Sequence, residues 1–134
     1  MNDFLEKLRP VAWNAWRIAI GFAFFTHGGQ KLFAWFGRDT PVETLASMVG
    51  IAGILEFVGG AAIILGLRTR WVAFLLSGEM AVAYWYRHAT NGGLWHWNNG
   101  GEVAMLFCFT FLLMSTIGGG DFSIDGLLKK NKST

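Results

Sequence analysis

The sequence predicts an all-α integral membrane protein: a four-helix bundle with both termini on the cytoplasmic side and a short amphipathic segment at the C-terminus. Three observations lead there. Of the 134 residues, 53% are hydrophobic and only 15% charged, against about 25% charged in a soluble domain, and the mean hydropathy is +0.39. Four apolar stretches, at about 11–36, 45–67, 70–87 and 102–118, each approach the 17–25 residues that cross about 30 Å of hydrocarbon. No ten-residue segment alternates as a membrane-barrel strand does. The length suits a single domain spanning residues 1–134.

Each element has a local reason. The opening MNDFLEKLRP is a polar amphipathic lead with no small-residue cleavage site after it, so the first span (11–36) stays in the mature chain. GRDTPVE (37–43) joins spans one and two, and Pro41 after Thr40 marks a helix start. LRTR (67–70) is tight enough to force antiparallel neighbours. HATNGGLWHWNNGGE (88–102) is the longest connection. After the glycine run 118–120, Asp121 or Ser123 can cap a short helix that lays Phe122, Ile124, Leu127 and Leu128 on the membrane surface. Trp35, Tyr84, Trp85 and Tyr86 suit the headgroup level.

Charge sets the orientation. Lys7, Arg9, Arg17, Arg68, Arg70, Lys129, Lys130 and Lys132 fall on one side, against Lys31, Arg38 and Arg87 on the other. By the positive-inside rule both termini are cytoplasmic, and the net charge of +2 reflects topology, with no nucleic-acid partner expected. The single cysteine, Cys108, excludes an internal disulfide and reads as a small buried hydrophobe.

Polar residues within the spans are the candidates for function. Glu56, Glu79 and Glu102 each fall on a different span. An isolated charge in hydrocarbon costs at least about 2.5–3.5 kcal/mol, so they should face the bundle and pair. His27 and Lys31 are four apart on one side of span one, with Gln30 beside them. Gly53 and Gly60 flank Glu56 on a face small enough for close helix approach. At 1.5 Å per residue, Glu56 and Glu79 lie about 13–16 Å above the cytoplasmic boundary, and His27, Lys31, His88 and Glu102 about 22–28 Å. This sketches a polar column open to the outer face, with His27 and Lys31 paired to Glu56, Glu79 or Glu102. A buried Lys–Glu pair can serve architecture alone, but so many ionisable groups exceed what packing needs. No HxxxH, ExxH or CxxC spacing appears, so no metal is expected. NGG…NNGGE lacks the strand–loop–helix context and Lys-Ser/Thr ending of a nucleotide loop.

RIAIGFAFFTHGGQKLF, GILEFVGGAAIILGLRTRWVAFLL and IGGGDFSIDGLL together resemble the DoxX family of small four-helix bacterial membrane proteins, over nearly the whole chain. The most specific parts are HGGQKLF, LEFVGG with LGLRTR, and Gly118 to Asp125. The resemblance implies a bacterial cytoplasmic-membrane location and relatives such as the DoxD-type subunit of a thiosulfate:quinone oxidoreductase. It also implies that His27, Gln30, Lys31, Glu56, Arg68, Arg70, Ser123 and Asp125 occupy the family's polar positions. Glu79, His88 and Glu102 come from the residues alone.

Three functions stay open at this stage, and no catalytic residue is assigned. One is a redox-associated protein with a quinone or small-ligand site, using His27, Gln30, Lys31, Glu56, Glu79, His88 and Glu102 as ligand-binding or proton-relay groups. With no haem motif or dithiol and no cofactor evident beyond quinone, its electrons would come from a redox partner subunit or a soluble donor. The second is an accessory subunit of a larger membrane complex, without catalysis of its own. The third is transport of a small solute or proton. In each the lipid bilayer is the first partner.

Overall fold

The computed structural model describes residues 2–37 and 40–132, and all regular structure among them is helical. Arg38, counted above on the sparsely charged side, lies outside the described residues. Four long helices, α1 (Asn2–Phe33), α2 (Met48–Leu65), α3 (Thr69–Ala83) and α4 (Glu102–Ile117), are followed by a short one, α5 (Ile124–Lys132).

The boundaries differ from the sequence reading in three places. The polar lead is helical: α1 begins at Asn2 and runs through Pro10. The proline removes one ladder bond, but residues 3–9 are exposed, so the freed Glu6 carbonyl stays accessible to solvent. The second helix starts at Met48 and not near Pro41, because Ser47 is the residue whose side chain caps it, accepting from the Gly50 N–H at 3.1 Å. The third helix ends at Ala83 and widens into a π-helical turn, Tyr84–Ala89. Single turns at Thr90–Gly92 and His96–Asn99 complete that loop.

The helices pair as two antiparallel hairpins. In α1–α2 the contact is backbone on backbone. A methyl on Gly60 would sit 2.5 Å from the Phe25 amide nitrogen, and one on Gly21 2.9 Å from that of Ile64. Gly28 meets Phe57 and Gly53 in the same way one turn further on. Small residues are what allow such approach where the surroundings are apolar and no water is there to be expelled. In α3–α4 the Ser77 hydroxyl donates to the Cys108 carbonyl at 2.8 Å. Between the hairpins, Phe24 of α1 packs edge-on against Phe111 (4.8 Å) and tilted against Phe107 (5.1 Å), and Leu76 of α3 lies over Gly59 of α2. The fully buried core is small, built on Phe24, Ile63, Leu76, Phe111 and Met114.

Most large apolar side chains point outward instead, among them Phe22, Ile51, Val58, Phe74, Leu106 and Phe109. An apolar exterior on all four long helices suits hydrocarbon as the solvent. By length and composition, Met48–Leu65 is the one described helix able to cross a membrane unaided, and Glu102–Ile117 is apolar but shorter.

The end of the bundle where α2 passes into α3 and α5 lies across them is tied by charged and polar groups. Arg17, placed on a loop side by the sequence reading, is 1% exposed within α1. Its guanidinium donates to the Ile63 (2.6 Å), Ile64 (2.5 Å) and Phe122 (2.8 Å) carbonyls and to Asn14 Oδ1 (3.3 Å). It thereby closes the C-terminus of α2, where a cation is favoured. The chain turns there through Gly66, whose left-handed backbone (φ 66°) would be strained for a side chain that must also clear Ser123. Ser123, as anticipated, caps α5, accepting from Gly126 N–H at 3.0 Å. Asp125 instead reaches across to α3: its two oxygens accept from the Arg68 and Thr69 N–H groups at 2.8 and 2.7 Å. It is an N-cap supplied from outside the helix.

Two outcomes follow for thermal unfolding in detergent. Gly60→Ala should lower stability by about 1–3 kcal/mol, because backbone atoms cannot yield to the methyl, whereas Gly→Ala in an exposed helix gains about 0.5–1 kcal/mol. Asp125→Ala should cost about 0.5–2 kcal/mol, the usual loss for a helix cap. A melting temperature unchanged in either variant would contradict the corresponding contact.

Candidate functional site

The close approach of α1 and α2 determines what Lys31 can reach. Lys31 ends α1 and is half-buried, and its carbonyl accepts from Val42 N–H at 2.8 Å, which holds the following loop against the helix. With Gly28 against Phe57, the lysine stem crosses directly to α2 and its Nζ donates to Glu56 Oε1, forming an ion pair. Glu56 is 3% exposed.

The next contact comes from α3. Leu76 lies on Gly59, and Glu79 follows it one turn along α3. The Glu56 and Glu79 carboxyl groups interact electrostatically, and Lys31 acts on Glu79 as well. The group is incomplete. Glu56 Oε2 and both oxygens of Glu79 are buried without a hydrogen-bond partner among the described residues. Of the four carboxyl oxygens, only Glu56 Oε1 accepts from the Lys31 ammonium among those residues. Buried polar atoms in native proteins are nearly always satisfied, so this spot calls for a proton, a water or a donor on a ligand.

The remaining candidates lie apart from this trio. His27 is exposed and turns its ring edge-on to Phe107 of α4 at 6.0 Å, with no hydrogen bond among the described residues. The expected pairing therefore holds for Lys31 with Glu56 and fails for His27. Gly28 lies against Phe57 of α2 and Lys31 Cβ against Gly53, whereas His27 turns to Phe107 of α4. Gln30 is half-buried without a side-chain hydrogen bond among the described residues. His88 stays in the π-helical turn, its Nδ1 3.1 Å from the Asn99 carbonyl oxygen. Glu102 is exposed in the first turn of α4, where an acidic side chain complements the helix dipole. The four-helix polar column contracts to Lys31, Glu56 and Glu79 on three helices, with His27 outside it at the α1–α4 groove. Among the described residues no three His, Cys, Asp or Glu side chains converge as a metal set.

Aromatic rings close the loop end beside Lys31. Trp35, assigned to the headgroup level by the sequence reading, folds back over Gly29 and meets Phe25 and Phe57, both at 5.7 Å. The reversal places Ala34 and Phe36 in the left-handed region (φ 56° each), a strained conformation for side-chain-bearing residues. Phe25 stacks on Phe57 at 4.3 Å. Sequence reasoning also missed the clamp of Arg17 and Asn14 and the helix-capping role of Asp125. The available signal was an arginine within a span with no acidic residue near it in sequence.

Comparison with known proteins adds a family and two relatives. The family model DoxX matches residues 12–89, a stretch that contains Lys31, Glu56 and Glu79. An uncharacterized protein of Haemophilus influenzae is 36% identical, over 93% of this chain and 96% of its own length. The inner membrane protein YqjF of Escherichia coli is 29% identical, over 94% of this chain and 98% of its own. No solved structure matches the chain.

The unequal satisfaction of the two glutamates predicts unequal mutational costs. Glu56→Ala strands the Lys31 ammonium and should lose about 1–3 kcal/mol. Glu79→Gln removes a carboxyl group that has no hydrogen-bond partner among the described residues and should leave the melting temperature unchanged or raise it. A Glu79→Gln loss as large as that of Glu56→Ala would make Glu79 a structural residue.

Proposed function

This chain belongs to the DoxX family, and on that premise we propose a multi-pass protein of the bacterial inner membrane, with both termini cytoplasmic, whose Lys31–Glu56–Glu79 group binds the polar head of a small apolar ligand and handles its proton. It is a membrane protein, and the bilayer is the setting for everything that follows. The single observation that carries the reading is the unsatisfied Glu79 carboxyl group, buried among apolar helices beside an ion pair. Intramembrane ionisable residues are costly and mark ligand or proton sites.

A quinol or quinone ring is the ligand class that suits these groups. A ring hydroxyl would donate to Glu79, a ring carbonyl would accept from Lys31, and Phe107 and His27 would border the entry from the α1–α4 groove. Glu79 then accepts the proton that a quinol releases, and the Lys31–Glu56 pair holds the charge of the site in place. The chain carries no dithiol and no haem-attachment motif, so its own residues bind and move protons while electrons pass to or from a partner.

Binding of a short-chain quinone to the protein in nanodiscs, followed by tryptophan quenching, tests the reading. Glu79→Gln should weaken binding about 10- to 100-fold, the value of one charge-assisted hydrogen bond, with insertion and helix content unchanged. If the variant binds as the parent does, the polar group is architectural and the accessory-subunit reading replaces this one. Orientation is tested separately in a Cys108→Ala background. A cysteine introduced within 88–100 should react with a membrane-impermeant thiol reagent from outside intact cells, and one at 129–132 should not. Labelling of the tail from outside would reverse the topology.

A further inference from the structure

At the end of the bundle where α2 passes into α3, a cleft of about 920 Å³ opens between the start of α3, the end of α4 and α5. Arg68, Arg70, Lys129 and Lys130 line it with Asp121 and Asp125, giving four cations against two carboxylates. One of those carboxylates is already committed, since both oxygens of Asp125 accept from the backbone of α3. Arg68 and Arg70 are exposed. The Arg68 guanidinium makes no hydrogen bond to the described residues, and that of Arg70 makes one long one, to the Ile117 carbonyl at 3.3 Å. A guanidinium offers five donors in a fork that matches phosphate oxygens. Gly118 keeps the floor low: a side chain there would approach Arg70 Nε to 3.2 Å, and its backbone is left-handed (φ 91°).

We propose that this cleft binds the phosphate of an anionic phospholipid. The phosphodiester sits between Arg68 and Arg70, and the acyl chains descend along α3 and α4. The apolar half of the site selects a lipid over a soluble phosphate. Trp71 lines the cleft and is 77% exposed, and Phe74, Leu113 and Ile117 continue an exposed apolar surface away from it. An indole beside cations at one level, with hydrocarbon-facing side chains below, is the arrangement of the membrane interface. Basic pockets between helices at the membrane boundary recognise anionic head groups, with each cation contributing about 1 kcal/mol. Arg68 and Arg70 thereby gain a role as lipid ligands, in addition to their part in setting topology, and the site stands apart from the Lys31–Glu56–Glu79 group.

Native mass spectrometry of the purified protein, titrated with phosphatidylglycerol or with phosphatidylcholine of the same acyl chains, tests this. Phosphatidylglycerol should be retained at a lower concentration than phosphatidylcholine. Arg68→Asn, which tolerates the left-handed backbone found there (φ 48°), should weaken its retention about fivefold. Arg68→Asn with Arg70→Gln should weaken it by about that factor again, and Arg68→Lys with Arg70→Lys should restore most of it. Far-UV circular dichroism checks that the helices persist. Equal retention of both lipids, or unaltered phosphatidylglycerol retention in the doubly neutralised protein, overturns the proposal. Displacement of the lipid by millimolar inorganic phosphate would assign the cleft to a soluble anion and overturn it equally.

Discussion

Gly21 and Gly28 on α1, with Gly53 and Gly60 on α2, bring two helix backbones into contact over more than two turns. In hydrocarbon, where apolar side chains gain nothing by leaving the solvent, packing of this kind is what holds helices together. The contact also sets the reach of every polar side chain along the hairpin. Lys31 crosses to Glu56 because α2 lies directly beneath it, and Arg17 reaches the last carbonyls of α2 for the same reason. A side chain at Gly21, Gly28 or Gly60 would meet backbone atoms of the facing helix at under 3.0 Å and push the two helices apart.

The two charged groups on this hairpin are satisfied to different degrees. Arg17 is fully buried, yet it bonds four acceptors from α1, α2 and the tail, which is how a charge serves a structure. The Lys31–Glu56–Glu79 group, which adds α3 to the hairpin, has one ion pair and three carboxyl oxygens with no donor among the described residues. A protein selected only for stability would hold an apolar side chain at Glu79. The retained carboxyl is the reason to look for a ligand there and not at the arginine clamp.

The residues that were legible in the sequence are those whose signal is local. Apolar stretches revealed four helices, and the glycines around Glu56 revealed a face that another helix could approach. Ser123 was readable as a cap because a cap precedes its own helix. What escaped depended on contacts distant in sequence. Asp125 caps a helix that begins 56 residues before it, so no window of sequence contains both partners. His27 and Lys31 share a helical face by spacing, but Lys31 packs on Gly53 of α2 and His27 on Phe107 of α4, contacts far apart in sequence. Glu102 counted as buried because span lengths place it inside a helix, while its position in the first turn of α4 leaves it exposed.

The tail fastens both hairpins. Through the Phe122 carbonyl it holds Arg17 of the first, and through Asp125 it caps the leading helix of the second. Residues 122–125 therefore serve both hairpins at once. Arg17 keeps its Ile63, Ile64 and Asn14 acceptors without the tail, whereas the backbone N–H groups at the start of α3 depend on Asp125. The connection between α2 and α3 and the Trp13 indole, which donates to the Gly118 carbonyl at 3.0 Å, join the hairpins at the same end. Loss of residues 122–125 would uncap α3 while the Arg17 contacts to α2 persist, so this end of the bundle would loosen without coming apart.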